Sequence, residues 1–133
     1  MNNKTLTDII YQYEDATFSW GEFDCCIFTA TIVEEFSGKT LPHWRNVLQY
    51  PDAKGAAKAL KKLGCKEVLD LPSIILNTEK KDISEVKLGD PVYYVEKERG
   101  LLGICNGARA YFITKDGLTA RNIEACEYCW SVD

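Results

Sequence analysis

The chain has 133 residues, 46% of them hydrophobic and 27% charged, enough for one domain to build its own core without metals or crosslinks. Sixteen basic and 20 acidic side chains give a net charge of −4, which argues against a nucleic-acid partner, since such a surface needs a basic face to neutralise phosphates. No apolar run reaches the roughly 18 residues of a membrane span, and the start MNNKTLTDII has no apolar stretch ahead of a small-residue cleavage site.

A reducing cytoplasm is therefore the expected place of synthesis, and the six cysteines (Cys25, Cys26, Cys65, Cys105, Cys126 and Cys129) are expected to be free buried thiols rather than a disulfide frame. Cys126 and Cys129 form a single C-x-x-C. Four-cysteine zinc sites show two such knuckles, so no metal and no cofactor is expected.

In chain order, Leu6, Ile9, Ile10, Tyr13 and Phe18 predict a first helix over residues 6–18, capped by Thr5 or Thr7. Asp24 is the expected N-cap of a second helix running to Phe36 and closed by Gly38. Its apolar residues wrap most of the circumference, the pattern of a buried central helix. Residues 40–50 read as a loop with aromatic anchors. Asp52 should cap a third, alanine-rich helix that Gly64 ends, with Lys58, Lys61, Lys62 and Lys66 as a solvated face. Residues 67–76 predict a short helix interrupted by Pro72.

From Leu88 the hydrophobic period falls from 3.6 to 2. PVYYV, LLGIC, RAYFIT, LTARN and YCWSV, separated by turn residues, predict an antiparallel meander. Helices followed by a sheet give an α+β domain spanning residues 1–133. No repeat or linker is visible.

Three features carry a resemblance. Trp20-Gly21 precedes Asp24-Cys25-Cys26 at the mouth of the buried helix; Leu88-Gly89-Asp90 turns into a strand; Gly100-Leu101-Leu102-Gly103-Ile104-Cys105-Asn106-Gly107 forms another strand and its turn. This order resembles the NlpC-type, papain-like cysteine peptidases that cut cell-wall peptides, whose pattern is D-C-S, then G-D-L-V-x-F, then S-H-V-G-I-Y-x-G. A closer resemblance, over nearly the whole chain, is to small proteins encoded in bacteriophage tail-gene clusters. Asp116-Gly117-Leu118 and Cys126 with Trp130 complete that pattern.

The resemblance implies an NlpC-like fold with Cys25 as nucleophile. A thiol in the first turn of a helix sees unpaired N–H groups and the positive end of the dipole, which favour thiolate, whereas Asp24 opposes it. Cys26 points about 100° away and should pack inward. On the S-H-V-G-I-Y-x-G pattern, Leu101 stands where the peptidases carry their base histidine, and leucine takes no proton. The single histidine, His43, follows the far end of a helix of about 13 residues, roughly 20 Å from Cys25, and is expected to be a loop residue. Trp20, Asp24 and Leu101 would then border a groove. Trp20, Trp44 and Trp130 suit a groove or the core, with the core the commoner use. Asp90 is expected to hold its own turn.

Three readings follow: a phage or prophage tail-tip component with a degenerate hydrolytic site, an active cysteine peptidase or amidase, and a metal or redox module at Cys126 and Cys129. The first is the expectation. It implies a virion protein made in the bacterial cytoplasm, whose partners are tail hub or tip proteins, with peptidoglycan peptides as ligands if activity remains.

Overall fold

The computed structural model describes residues 5–20, 23–41 and 52–132. The expected positions His43 and Trp44, like Gly21, lie outside them. The chain is α+β, with helices first and a six-stranded antiparallel sheet after them.

Helix α1 is Leu6–Tyr11, opened by a reciprocal capping box between Thr5 and Asp8. It stops well short of Phe18. Past Tyr11 the backbone closes tight turns (Tyr13 N–H to the Ile10 carbonyl, Ala16 N–H to that of Tyr13), and the Tyr13 ring packs at 5.3 Å from Phe23. Polar Gln12, Glu14 and Asp15 give a longer helix no apolar stripe to bury.

Helix α2, Cys25–Ser37, is the buried central helix. Phe28, Thr29, Ala30 and Ile32 are fully enclosed. Asp24 Oδ1 accepts from the Ile27 N–H at 3.0 Å, and Gly38 closes the helix at φ 78°. Thr29 returns its hydroxyl to the Cys25 carbonyl at 2.7 Å, which satisfies a polar side chain inside the core.

Helix α3, Ala53–Lys62, buries no residue. It is capped by Asp52 and ends in a Schellman arrangement, with the Cys65 N–H on the Leu60 carbonyl and the Gly64 N–H on that of Lys61. Helix α4, Leu71–Leu76, follows a single tight turn at Val68–Asp70. Pro72 does not interrupt it. The ring sits in the first turn, where its missing N–H would have had no helical partner anyway.

The strands are β1 (Lys81–Asp82), β2 (Pro91–Glu96), β3 (Arg99–Asn106), β4 (Arg109–Thr114), β5 (Gly117–Asn122) and β6 (Tyr128–Cys129). β2 to β5 form the expected meander. The last strand departs from it. Instead of extending beyond β5, it returns to lie between β1 and β2, giving the order β1-β6-β2-β3-β4-β5. Its neighbour Trp130 still donates its backbone N–H to the Pro91 carbonyl of β2, and its ring enters the core, where Nε1–H donates to Ser73 Oγ at 2.9 Å.

Side chains alternate between two faces. Tyr93, Leu102, Ile104, Tyr111 and Ile113 pack with α1 and α2, whereas Val92, Cys105, Ala110, Phe112, Cys126 and Cys129 form a second cluster on the opposite face. Full burial of each large aliphatic or aromatic side chain contributes about 2–3 kcal/mol. Arg121 of β5 donates two bonds to Glu96 of β2, the shorter 2.7 Å, across the two intervening strands. In a flat sheet those strands would lie about 14 Å apart, so the sheet curls toward its second face. No helix among the described residues is long and apolar enough to cross a membrane.

Candidate functional site

The sheet splits beside the start of α2. β3 and β4 pair at Asn106↔Arg109, Cys105↔Ala110 and Ile104↔Tyr111, and there the ladder ends although both strands run on. Gly103 sits at the split. A Cβ at this position would stand 2.3 Å from the Tyr111 carbonyl oxygen and 2.4 Å from the Phe112 ring, so only glycine permits the approach.

Backbone parity fixes which groups face the gap. Cys105 bonds to the β2 side in both directions, its N–H to the Asp90 carbonyl and its carbonyl to the Gly89 N–H, each at 2.9 Å. The N–H and carbonyl groups of Gly100, Leu102 and Ile104 therefore point toward β4. On β4 the Ala108 carbonyl accepts from Ile123 on the β5 side, so Ile113 points back toward β3.

Cys25, the first residue of α2, meets this gap half-buried, while Cys26 is buried. The thiol of Cys25 is shifted toward thiolate. The main cause is a hydrogen bond from the Cys26 thiol; the Leu102 N–H donates to the same sulfur, and the Arg99 guanidinium adds a favourable field. Burial and the Asp24 carboxylate oppose the shift without cancelling it. The same bond, reinforced by burial, pushes the Cys26 thiol well up. Within the pair, thiolate is favoured at Cys25 and the neutral thiol at Cys26.

The thiol opens on a cavity of about 410 Å³. Phe18 and Trp20, edge to face at 4.9 Å, form one side, and Ala53, Ala56 and Leu60 of α3 form another. The sheet contributes Arg99–Leu101 and Ile113–Asp116. The four residues expected at the site, Cys25, Trp20, Asp24 and Leu101, thus line one space. Leu101 also packs against the second cluster, and the residue whose backbone touches the sulfur is its neighbour Leu102.

The other candidates lie elsewhere. Asp90 holds its turn, accepting from the Lys87 N–H at 3.0 Å. Cys126 and Cys129 are on the opposite face, where burial pushes both thiols up to about 11. Among the described residues no group of three or more His, Cys, Asp or Glu side chains is placed to hold a metal ion.

Three contributors were not anticipated from sequence: the Leu102 N–H, Arg99 and the alanine face of α3. The first had a signal in the Gly100-Leu101-Leu102-Gly103 spacing, since paired glycines in a strand mark close backbone approach.

Residues 2–132 match the model of a family described as a domain of unknown function, DUF6950. The chain belongs to that family. A comparison with curated proteins found no match. Family membership covers the whole site, from Phe18 to Asp116, and gives it no assigned chemistry.

Proposed function

We propose that the chain is a bacteriophage or prophage tail-tip component, built on an NlpC-like variant of the papain-like fold, whose hydrolytic site has become a docking groove for a tail hub protein. One observation supports this reading: Leu101, which the sequence resemblance sets against the peptidases' base histidine, lines the cavity at Cys25 and can take no proton. A thiolate with no imidazole partner has no general acid to protonate the departing amine. Loss of such a partner costs several orders of magnitude in rate. The apolar wall that remains, Trp20, Ala56 and Leu60, suits protein contact.

The test is assembly in a phage or prophage that encodes the chain. Cys25→Ser should support tail formation, and the chain should copurify with tail hub proteins in the virion. A chain that stays free of tail particles overturns the reading.

The thiolate character of Cys25 favours a second reading, an active cysteine peptidase or amidase acting on cell-wall peptides. There the sulfur attacks a peptide carbonyl, and a backbone N–H near the helix start steadies the oxyanion. The base would have to come from a residue other than Leu101. Turnover of cell-wall tetrapeptides above that of a Cys25→Ala control decides between the two.

A further inference from the structure

The Cys25 cavity selects its electrophile by what can leave without help. Among the described residues its lining holds no imidazole, either to protonate a leaving group or to activate water afterwards. An amine departs only with a proton, whereas a thiolate, of ordinary pKa about 8.5, departs as the anion. Cys26 offers an adduct on its neighbour no second way out. Burial and its bond to the Cys25 sulfur hold it as the neutral thiol, a poor nucleophile. A group transferred to Cys25 therefore stays there.

The rest of the cavity describes that group. Phe18, Trp20, Ala53, Ala56, Leu60 and Val68 make an apolar wall, and about 410 Å³ is the size of a small-molecule pocket. The charged side chains of the lining balance, Arg99 and Lys115 against Asp24 and Asp116, and Glu96 against its partner Arg121. Such a space favours neither an anion nor a cation. It favours a neutral hydrocarbon chain.

We propose that Cys25 is an S-acylation site, which takes a medium-length fatty acyl group from an acyl thioester and keeps the chain in the cavity between Trp20 and α3. The Cys25 thiolate attacks the thioester carbonyl and forms the new C–S bond. The old C–S bond breaks, and the carrier leaves as its thiolate and takes a proton from water. The inference rests on the proposed function only for the missing base, and acylation is a property of the purified chain.

The probes are the octanoyl and acetyl thioesters of N-acetylcysteamine, incubated with the purified chain at neutral pH and followed by intact-mass spectrometry and peptide mapping. One octanoyl group should appear on Cys25, persist in buffer and be released by neutral hydroxylamine. Cys25→Ser should take none. The other five cysteines are buried, so the deciding measurement is chain length. The octanoyl-to-acetyl rate ratio should exceed that of free N-acetylcysteine by about tenfold, because the wall covers methylenes that otherwise stay in water. Leu60→Glu and Ala56→Glu, each on a helix that buries no residue, should each lower the ratio by about tenfold.

A ratio no greater than that of the free thiol, a ratio unmoved in both folded glutamate variants, or steady release of free octanoate would each overturn the proposal. An acylated chain that never joins a tail particle would keep the site and remove the tail-tip reading. A tail protein that resists acylation would do the reverse.

Discussion

Asp24 has two opposed effects on one helix. Its carboxylate caps the Ile27 N–H, and its charge holds back the thiolate of Cys25. Asn accepts the same hydrogen bond without the charge. Asp24→Asn should therefore keep the fold and lower the Cys25 pKa further, and thiol-directed labelling at about pH 6, well below the ordinary thiol range, should speed up. Asp24→Ala removes the cap as well and should cost about 1–2 kcal/mol in denaturant unfolding. If labelling in the Asn variant slows, the carboxylate is not what restrains the sulfur. Both the cap and the place of the Cys25 thiol in the first turn were legible in Asp24-Cys25-Cys26, because capping is local. The Leu102 N–H was not, since it reaches Cys25 only through the bend of a strand more than 70 residues away.

At the scale of elements, Gly103 decides where two strands part. Gly103→Ala drives a Cβ into the Tyr111 carbonyl and the Phe112 ring, and backbone at 2.3 Å has little room to yield. A loss of about 3 kcal/mol is expected by chemical denaturation, with the Leu102 amide and the Cys25 reactivity both altered. An alanine variant of unchanged stability and unchanged thiol reactivity would show that the split does not depend on this glycine. Helix limits set by side-chain caps and glycines were readable in advance at Asp24, Gly38, Asp52 and Gly64. The end of α1 was misjudged because Tyr13 and Phe18 kept helical spacing in sequence while finding their partners from turns. Pro72 was misjudged because its effect depends on whether it falls in the first turn or the interior.

For the whole molecule, the second face of the sheet contributes to the alkaline limit of stability. Cys126 and Cys129 start from an ordinary thiol value of 9.0 and are pushed up to about 11 by burial. A raised folded-state value favours the neutral thiol, so this stabilisation is complete below pH 9 and is lost as pH rises toward 11. Midpoints of thermal unfolding should fall across that window, and Cys126→Ala with Cys129→Ala should flatten the slope even though the protein starts less stable. An unchanged slope would place the titration elsewhere. The α+β class and the β2–β5 meander were legible from the change of hydrophobic period. The position of β6 was not, because a two-residue strand carries too little pattern to name its neighbours.

That position bears on how the chain reaches its native state. Tyr128 and Cys129 wedge between Lys81–Asp82 and Val92–Tyr93, so a place inside the sheet is filled by residues that follow all four strands of the meander in the chain. Until they arrive, β2 exposes an open hydrogen-bonding edge flanked by Val92, Tyr93 and Tyr94, a template for self-association. Non-local closure of this kind is expected to be slow, and soluble yield should then rise when expression is cooled.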